Sequence, residues 1–302
     1  MSKLAKFFII CAAVCVLGIA MTFAGYAAGG VDDLQKVADK HEWLNVGPNA
    51  TETNLETVGE FQSIEADGSL DIAVLSPGQD LEDADLPDYL EDVYYDGVAG
   101  TVAVRWTKGE GAPEVTNENG VLKIHGNNDS IDHVEVNLTG EDPSPDVVVC
   151  CSDKELESIS INGKYGDTAI AGVKSKSTKV TAESGDIEIE DVEGDEVAAE
   201  TNTGDIDVGN IVSSKMTLKA NTGDIDISKC VGEISAETTT GDIEFATALQ
   251  QSQFGMDLSV NTGDISINED TIDLQEYYAK GEPNKLQLRT DTGDIDADFT
   301  ED

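Results

Sequence analysis

From residue 159 onward, apolar and polar side chains alternate in short bursts that restart at a near-constant interval. Each burst is centred on a Thr/Ser-Gly-Asp-Ile unit, with glycines at Gly185, Gly204, Gly223, Gly241, Gly263 and Gly293 and a weaker copy at Gly166. Counted from Gly166 the intervals are 19, 19, 19, 18, 22 and 30 residues, so the last two read as the same repeat with insertions. Two and four residues after the glycine stand Ile187/Ile189, Ile206/Val208, Ile225/Ile227, Ile243/Phe245 and Ile265/Ile267. Seven, five and three residues before it stand Val197/Ala199/Thr201, Met216/Leu218/Ala220, Ile234/Ala236/Thr238 and Met256/Leu258/Val260. A period of two on both sides of the turn predicts two strands per repeat, each with one buried face. Val192, Ile211 and Cys230, seven residues after the glycine, predict a third inward column.

A repeat of this length with two or three short strands specifies an all-β fold, a single-stranded β-helix or β-solenoid with coils of about 19 residues. One copy cannot close a core, but stacked copies bury continuous Ile/Val columns. Seven coils at ~4.8 Å would give a rod of about 34 Å. The glycine supplies a positive φ, and the flanking Asn, Thr and Asp can bond local backbone. Asn202, Asn221 and Asn261 should form a partial ladder, beside Thr203, Thr222, Thr240 and Thr262. Earlier segments alternate too: Ile64/Ala66, Leu70/Ile72/Val74, Val102/Val104/Trp106, Leu122/Ile124 and Val134/Val136/Leu138. With the β run Asp146–Cys151, they read as degenerate coils merging into the regular ones. Cys150 and Cys151 should then face opposite sides of one strand.

The N-terminus has a different pattern. Lys3 and Lys6 precede 25 residues without charge, Phe7–Val31, and Asp32 and Asp33 follow. This predicts a transmembrane helix or signal segment over residues 1–30 that places the body outside the cytoplasm. The expected location is the cell membrane, in a single pass; the alternative is secretion after cleavage near Gly25 and Ala27. Residues 31–57 read as a short juxtamembrane amphipathic helix (Val31–Leu44) and a linker. Residues 58–302 read as the solenoid, with its regular coils over 159–302.

Charge narrows the set of partners. The 302 residues carry 18 Lys+Arg against 61 Asp+Glu, a net charge of −43. That excludes nucleic acid, which needs a basic surface, and disfavours polyanionic glycans unless a cation bridges them. The five cysteines form no CxxC pair, which disfavours zinc. GxSxG, HExxH and GxxxxGK[ST] are missing, and the three histidines accompany no nucleophile motif. No catalytic residue and no organic cofactor is implied.

The residues also resemble a known family. The opening FQSIEADGSLDIAV strand pair, the GVLKIHG strand, and LESISI followed by serial GDI turns are similar to the bacterial putative-adhesin family. The resemblance covers about residues 58–302. It implies β-solenoid domains on membrane-anchored envelope proteins, some from Lia-type envelope-stress operons, with no agreed catalytic residues.

Three features could carry chemistry. The aspartates after the turn glycines should stack in a column, with Asp186, Asp205, Asp224, Asp242 and Asp264 as candidate Ca²⁺ ligands between coils. The bland alternative has each carboxylate accept N–H groups of its own turn. Residues 80–96 hold eight acidic side chains and no basic one, with Tyr94 and Tyr95 as candidate contacts for a partner. The last insertion, Asp270–Lys285, exposes Tyr277 and Tyr278, further candidate contacts on a solenoid loop. The reading is a non-catalytic surface module for an envelope or surface component, either protein or neutral glycan. The alternatives are a carbohydrate-active enzyme on a β-helix and a calcium-stabilised scaffold.

Overall fold

The computed structural model describes residues 44–46, 51–78, 93, 95–107, 112–126, 134–136, 146–272 and 274–300. The expected segment at 1–30 lies outside them, as does the expected helix at 31–44 except for Leu44. Among the described residues no helix is long and apolar enough to cross a membrane. Two compact units divide the chain: residues 1–50 with 129–143, and residues 51–128 with 144–302.

The described strands of the opening part are β1 (Leu44–Val46), β2 (Thr51–Thr57), β3 (Ser63–Gly68), β4 (Asp71–Leu75), β5 (Thr101–Thr107), β6 (Glu114–Glu118), β7 (Val121–His125), β8 (Val134–Val136) and β9 (Asp146–Cys150). The regular part holds β10 (Ser158–Tyr165), β11 (Thr168–Ala171), β12 (Ser177–Ser184), β13 (Ile187–Glu190), β14 (Glu193–Thr203), β15 (Ile206–Gly209), β16 (Val212–Thr222), β17 (Ile225–Ser228), β18 (Val231–Thr240) and β19 (Ile243–Gln250). The closing part holds β20 (Phe254–Thr262), β21 (Ile265–Ile267), β22 (Asp270–Ile272), β23 (Glu276–Ala279), β24 (Asn284–Thr292) and β25 (Ile295–Thr300).

In the smaller unit, β1 and β8 pair in parallel. The larger unit is the solenoid. Of residues 45–57, expected as linker, 45–46 belong to β1 and 51–57 form β2. β2 pairs antiparallel with β5 along its whole length, because Thr51, Thr53, Leu55 and Thr57 give it the β-prone alternation of an edge strand.

Two sheets enclose the core. The long-strand sheet runs β23-β20-β24-β18-β16-β14-β12-β10-β3-β7-β6, and the short-strand sheet runs β2-β5-β9-β4-β11-β13-β15-β17-β19-β25-β21-β22. Nine neighbours in each sheet, β7 to β20 and β9 to β21, pair in parallel, one strand per coil. Registry follows the repeat: Ile187 faces Ile206, then Ile225, Ile243, Ile295 and Ile265. The inward columns are all buried, including Val192, Ile211 and Cys230. Each fully buried Ile or Val is worth roughly 1.5–3 kcal/mol.

Chain order and stacking order differ at both ends. The first coil, β3/β4, lies second in the stack, between β7/β9 and β10/β11. The last coil, β24/β25, lies between β18/β19 and β20/β21. The repeat alone predicts coils stacked in chain order; among the described residues the coils instead stack as nine with exchanged ends. Each of the four ends of the parallel stack pairs with an antiparallel strand: β6 on β7, β23 on β20, β5 on β9 and β22 on β21. Phe245, Phe254 and Phe299, from β19, β20 and β25, meet at 5.4–5.5 Å between ring centroids and tie the exchanged coils together. Cys151 lies in the main core. Cys150, on the opposite side of the chain, accepts a hydrogen bond from the Tyr95 hydroxyl.

Candidate functional site

The glycine turns bring the predicted aspartate column together. The backbone N–H of Asp186 donates to Asp167 Oδ1, that of Asp205 to Asp186 Oδ1, and that of Asp224 to Asp205 Oδ1, each at 2.7 Å. Asp242 continues the series on Asp224, and Asp294 on Asp242, again at 2.7 Å. Asp264 ends it on Asp294 at 2.8 Å, and Asp71 begins it beneath Asp167 at 2.8 Å. Each carboxylate before Asp264 therefore binds an amide of the next coil, not of its own turn. Opposite each of these Oδ1 atoms stands a backbone N–H, a charge-assisted pairing that offsets repulsion along the column. Among the described residues no group of three or more His, Cys, Asp or Glu side chains is placed to hold a metal ion.

A second acidic column lies on the outer face of the short-strand sheet. Glu188, Asp207, Asp226, Glu244 and Asp296 stand in register there. Burial raises the Asp207 carboxyl. Burial, reinforced by the Asp207 charge, pushes Asp226 up to about 6. The Asp226 charge, with a smaller contribution from burial, raises Glu244. From β11 onward the strands of this sheet contain no Lys or Arg. The signal was present in the sequence, as an acidic residue between the two inward positions of successive copies. It reads there only as a polar outward position.

The long-strand sheet presents a different face. Glu196, Lys215, Glu233 and Lys285 alternate in sign along one row, and Glu200, Lys219, Glu237 and Arg289 along another. Lys215 lies 3.7 Å from Glu196, Lys285 3.4 Å from Glu233 and Arg289 3.9 Å from Glu237. Farther along, Asn221 donates to Asn202 at 3.2 Å, one rung of the expected amide ladder.

The closing insertion builds a groove on this face. β23 runs antiparallel to β20, with Tyr277 opposite Leu258 and Tyr278 opposite Asp257. Tyr277 therefore turns inward, packs against the core and accepts a hydrogen bond from Gln251 Nε2 at 3.4 Å. Tyr278 turns outward and is 70% exposed. It borders a groove of about 630 Å³ whose floor is the outer face of β18, β24 and β20. Ser235, Gln287 and Asp257 form a row across that floor, ending at Tyr278. Of the other predicted contacts, Tyr95 is half-buried and donates to Ser76 O and Cys150 Sγ, both at 3.2 Å. It covers a small apolar cluster of Ala73, Leu75, Val93 and Val148, so its hydroxyl and part of its ring are taken up in the fold. Tyr94 lies outside the described residues.

Stacked coils, turn-glycine columns and a surface groove define an all-β solenoid of short repeats whose distinctive chemistry lies on its outer faces. The chain belongs to the Toastrack DUF4097 family, whose sequence profile matches residues 96–299. No curated protein matches it. Among solved structures it is similar to a Bacteroides fragilis protein described as a putative adhesin, at 14% identity, covering 84% of this chain and 98% of that one, with a TM-score of 0.46. It is also similar to a Parabacteroides distasonis protein described as a putative lipid binding protein, at 15% identity, 85% and 100% coverage and a TM-score of 0.47. A Clostridium sporogenes protein described as a putative cell adhesion protein matches at 8% identity, 84% and 100% coverage and a TM-score of 0.40.

Proposed function

We propose that this chain is a non-catalytic surface module: an adhesin-like solenoid held at the cell membrane by residues 1–30, with its body outside the cytoplasm, that binds an envelope or surface component. The observation that carries the reading is Tyr278, an aromatic side chain 70% exposed beside a groove on the outer face of the coil stack. Aromatic side chains are enriched among the anchors of binding interfaces. The family resemblance extends the proposal to the envelope-stress setting of Lia-type relatives. Two measurements test it. Protease added to intact cells should degrade the body of the full-length chain. Isolated envelopes should capture the detergent-solubilised full-length chain, and Tyr278→Ala should weaken that capture. Protection from protease, or no capture by envelopes, refutes the proposal.

A further inference from the structure

We infer that the groove beside Tyr278 is a subsite for a neutral glycan, bound as a short run of pyranose rings. The inference rests on the surface-module reading and names its ligand class. It starts from charge. The chain as a whole carries 61 acidic against 18 basic residues. The groove, by contrast, holds Glu233, Asp257 and Glu282 against Lys280 and Lys285, close to balance. Lys285 is committed to Glu233 at 3.4 Å. Neither a polyanion nor a polycation finds a matching surface here, and the field of the remaining molecule repels polyanions from a distance.

Hydrogen-bonding capacity comes next. Ser235 offers a hydroxyl, Gln287 an amide with two donors and an acceptor, and Asp257 an acceptor-only carboxylate. They sit on adjacent strands β18, β24 and β20 in register, so the groups recur at ~4.8 Å across the floor. That repeat is comparable with the length of a pyranose ring and suits the alternating donors and acceptors of vicinal hydroxyls. Tyr278 closes the row with a flat apolar ring and a polar tip. Its complement is a ligand with an apolar face and a hydroxylated rim, which describes the C–H face of a sugar. Gly255 and Gly281 also line the groove, where their backbones pack closely: a Cβ at Gly281 would lie 2.1 Å from the Phe254 carbonyl oxygen. The volume of about 630 Å³ falls in the ~300–1,000 Å³ range of small-ligand sites. A folded protein partner would need a larger apolar centre than one tyrosine.

The test is calorimetric titration of the detergent-solubilised full-length chain. The probes are neutral hexasaccharides of glucose, mannose, galactose and N-acetylglucosamine, a hexagalacturonate, and an extended neutral hexapeptide. At least one neutral hexasaccharide should bind. Tyr278→Ala should weaken it about tenfold or more, a loss of ~1.4 kcal/mol, and Tyr278→Phe should stay within about threefold because the ring is kept. Tyr165→Ala, at an exposed tyrosine away from the groove, should bind as the parent does. The inference is overturned if no neutral hexasaccharide binds, if hexagalacturonate or the peptide binds in a Tyr278-dependent way while the neutral sugars do not, or if Tyr278→Ala binds sugar undiminished. Envelope capture separates this failure from the broader one. Capture that depends on Tyr278 but resists competition by neutral sugar removes the glycan and leaves the surface-module reading, whereas absent capture removes that reading itself.

Discussion

Gly223→Ala is the sharpest test of how the coils stack. Gly223 has φ +146°, a conformation that L-residues rarely adopt. A Cβ built there would lie 1.9 Å from the carbonyl oxygen of Gly204 and 2.9 Å from Asp205 Oδ1. Ordinary contact begins at 3.4 Å, so one coil must move by 3.4 − 1.9 = 1.5 Å relative to the next. That displacement breaks the Asp224 N–H to Asp205 Oδ1 bond at 2.7 Å and lengthens the Gly204 N–H to Thr222 O bond at 3.0 Å. The backbone conformation alone costs about 1–3 kcal/mol. Losing the charge-assisted bond adds roughly 1.5–3 kcal/mol, and weakening the neutral one up to ~1. The expected cost, summed from those ranges, is about 2.5–7 kcal/mol.

Gly59→Ala is the matched control. Gly59 also has positive φ, at +76°, but a Cβ there meets nothing within 4 Å. Only the conformational cost of about 1–2 kcal/mol should remain. Equilibrium urea unfolding followed by far-UV circular dichroism measures both. Because Gly223 sits in the middle of a stack coupled only through nearest neighbours, its variant should also broaden the transition. If Gly223→Ala costs no more than Gly59→Ala, the close approach of neighbouring turns is not what holds the repeat.

Other expectations follow from the same geometry. The carboxyl of Asp226 is raised on folding to about 6, so the native state holds more protons than the unfolded one between the ordinary carboxylate range and about 6. Its stabilising contribution is full below that window and is lost as pH rises through it; thermal unfolding of Asp226→Asn should therefore show higher stability at pH 7 and a flatter profile between pH 4 and 6. Phe245→Ala removes a fully buried ring from the trio that ties the exchanged coils, and should cost about 3–5 kcal/mol in urea unfolding. Asp224→Ala deletes the acceptor for the Asp242 N–H and should cost about 1.5–3 kcal/mol, while Asp224→Asn keeps an acceptor oxygen and should cost less. Millimolar Ca²⁺ should shift the melting temperature no more than Mg²⁺ does, since every Oδ1 from Asp167 to Asp242 and that of Asp294 already faces an amide; a Ca²⁺-specific rise reversed by chelator would contradict that reading.

The columns were legible in the sequence because the glycine fixes the phase of each copy. Once Gly204 and Gly223 are aligned, Ile206 and Ile225 must face the same side. Stacking order was not legible, for a related reason. The inward positions of every copy are so alike that β24 fits beside β18 as well as β20 would, while the Phe245–Phe254–Phe299 contact ties the exchanged coils together in the observed order. Tyr277 and Tyr278 were singled out together, yet strand alternation sends one inward and one outward, and their phase depends on pairing with β20. Tyr95 looked like part of an acidic loop; its burial depends on the apolar outer face of Ala73 and Val148, which lies on β4 and β9 far away in sequence. The aspartate column was placed correctly, but its bonds run between coils because the turns stack closely enough for each amide to reach the carboxylate of its neighbour.

Interchangeable copies create a hazard that the fold resolves at its ends. A stack of nearly identical coils would offer the same hydrogen-bonding edge to a second molecule as to its own next coil, and such edges template aggregation. Here the parallel stack ends under antiparallel strands, and the outermost described strands are short and acidic: Glu52 and Glu56 on β2, Glu114 and Glu118 on β6, Asp270 on β22 and Glu276 on β23. Like charges on facing edges oppose pairing between copies. To reach that arrangement the chain must overshoot by one coil, place its cap, and return to fill the gap with β24 and β25. The overshoot carries β23 alongside β20 and turns Tyr278 outward beside the groove. The step that protects the end of the solenoid is thus also the step that builds its aromatic-lined surface, so shortening the 270–285 insertion should expose the edge and remove the groove together.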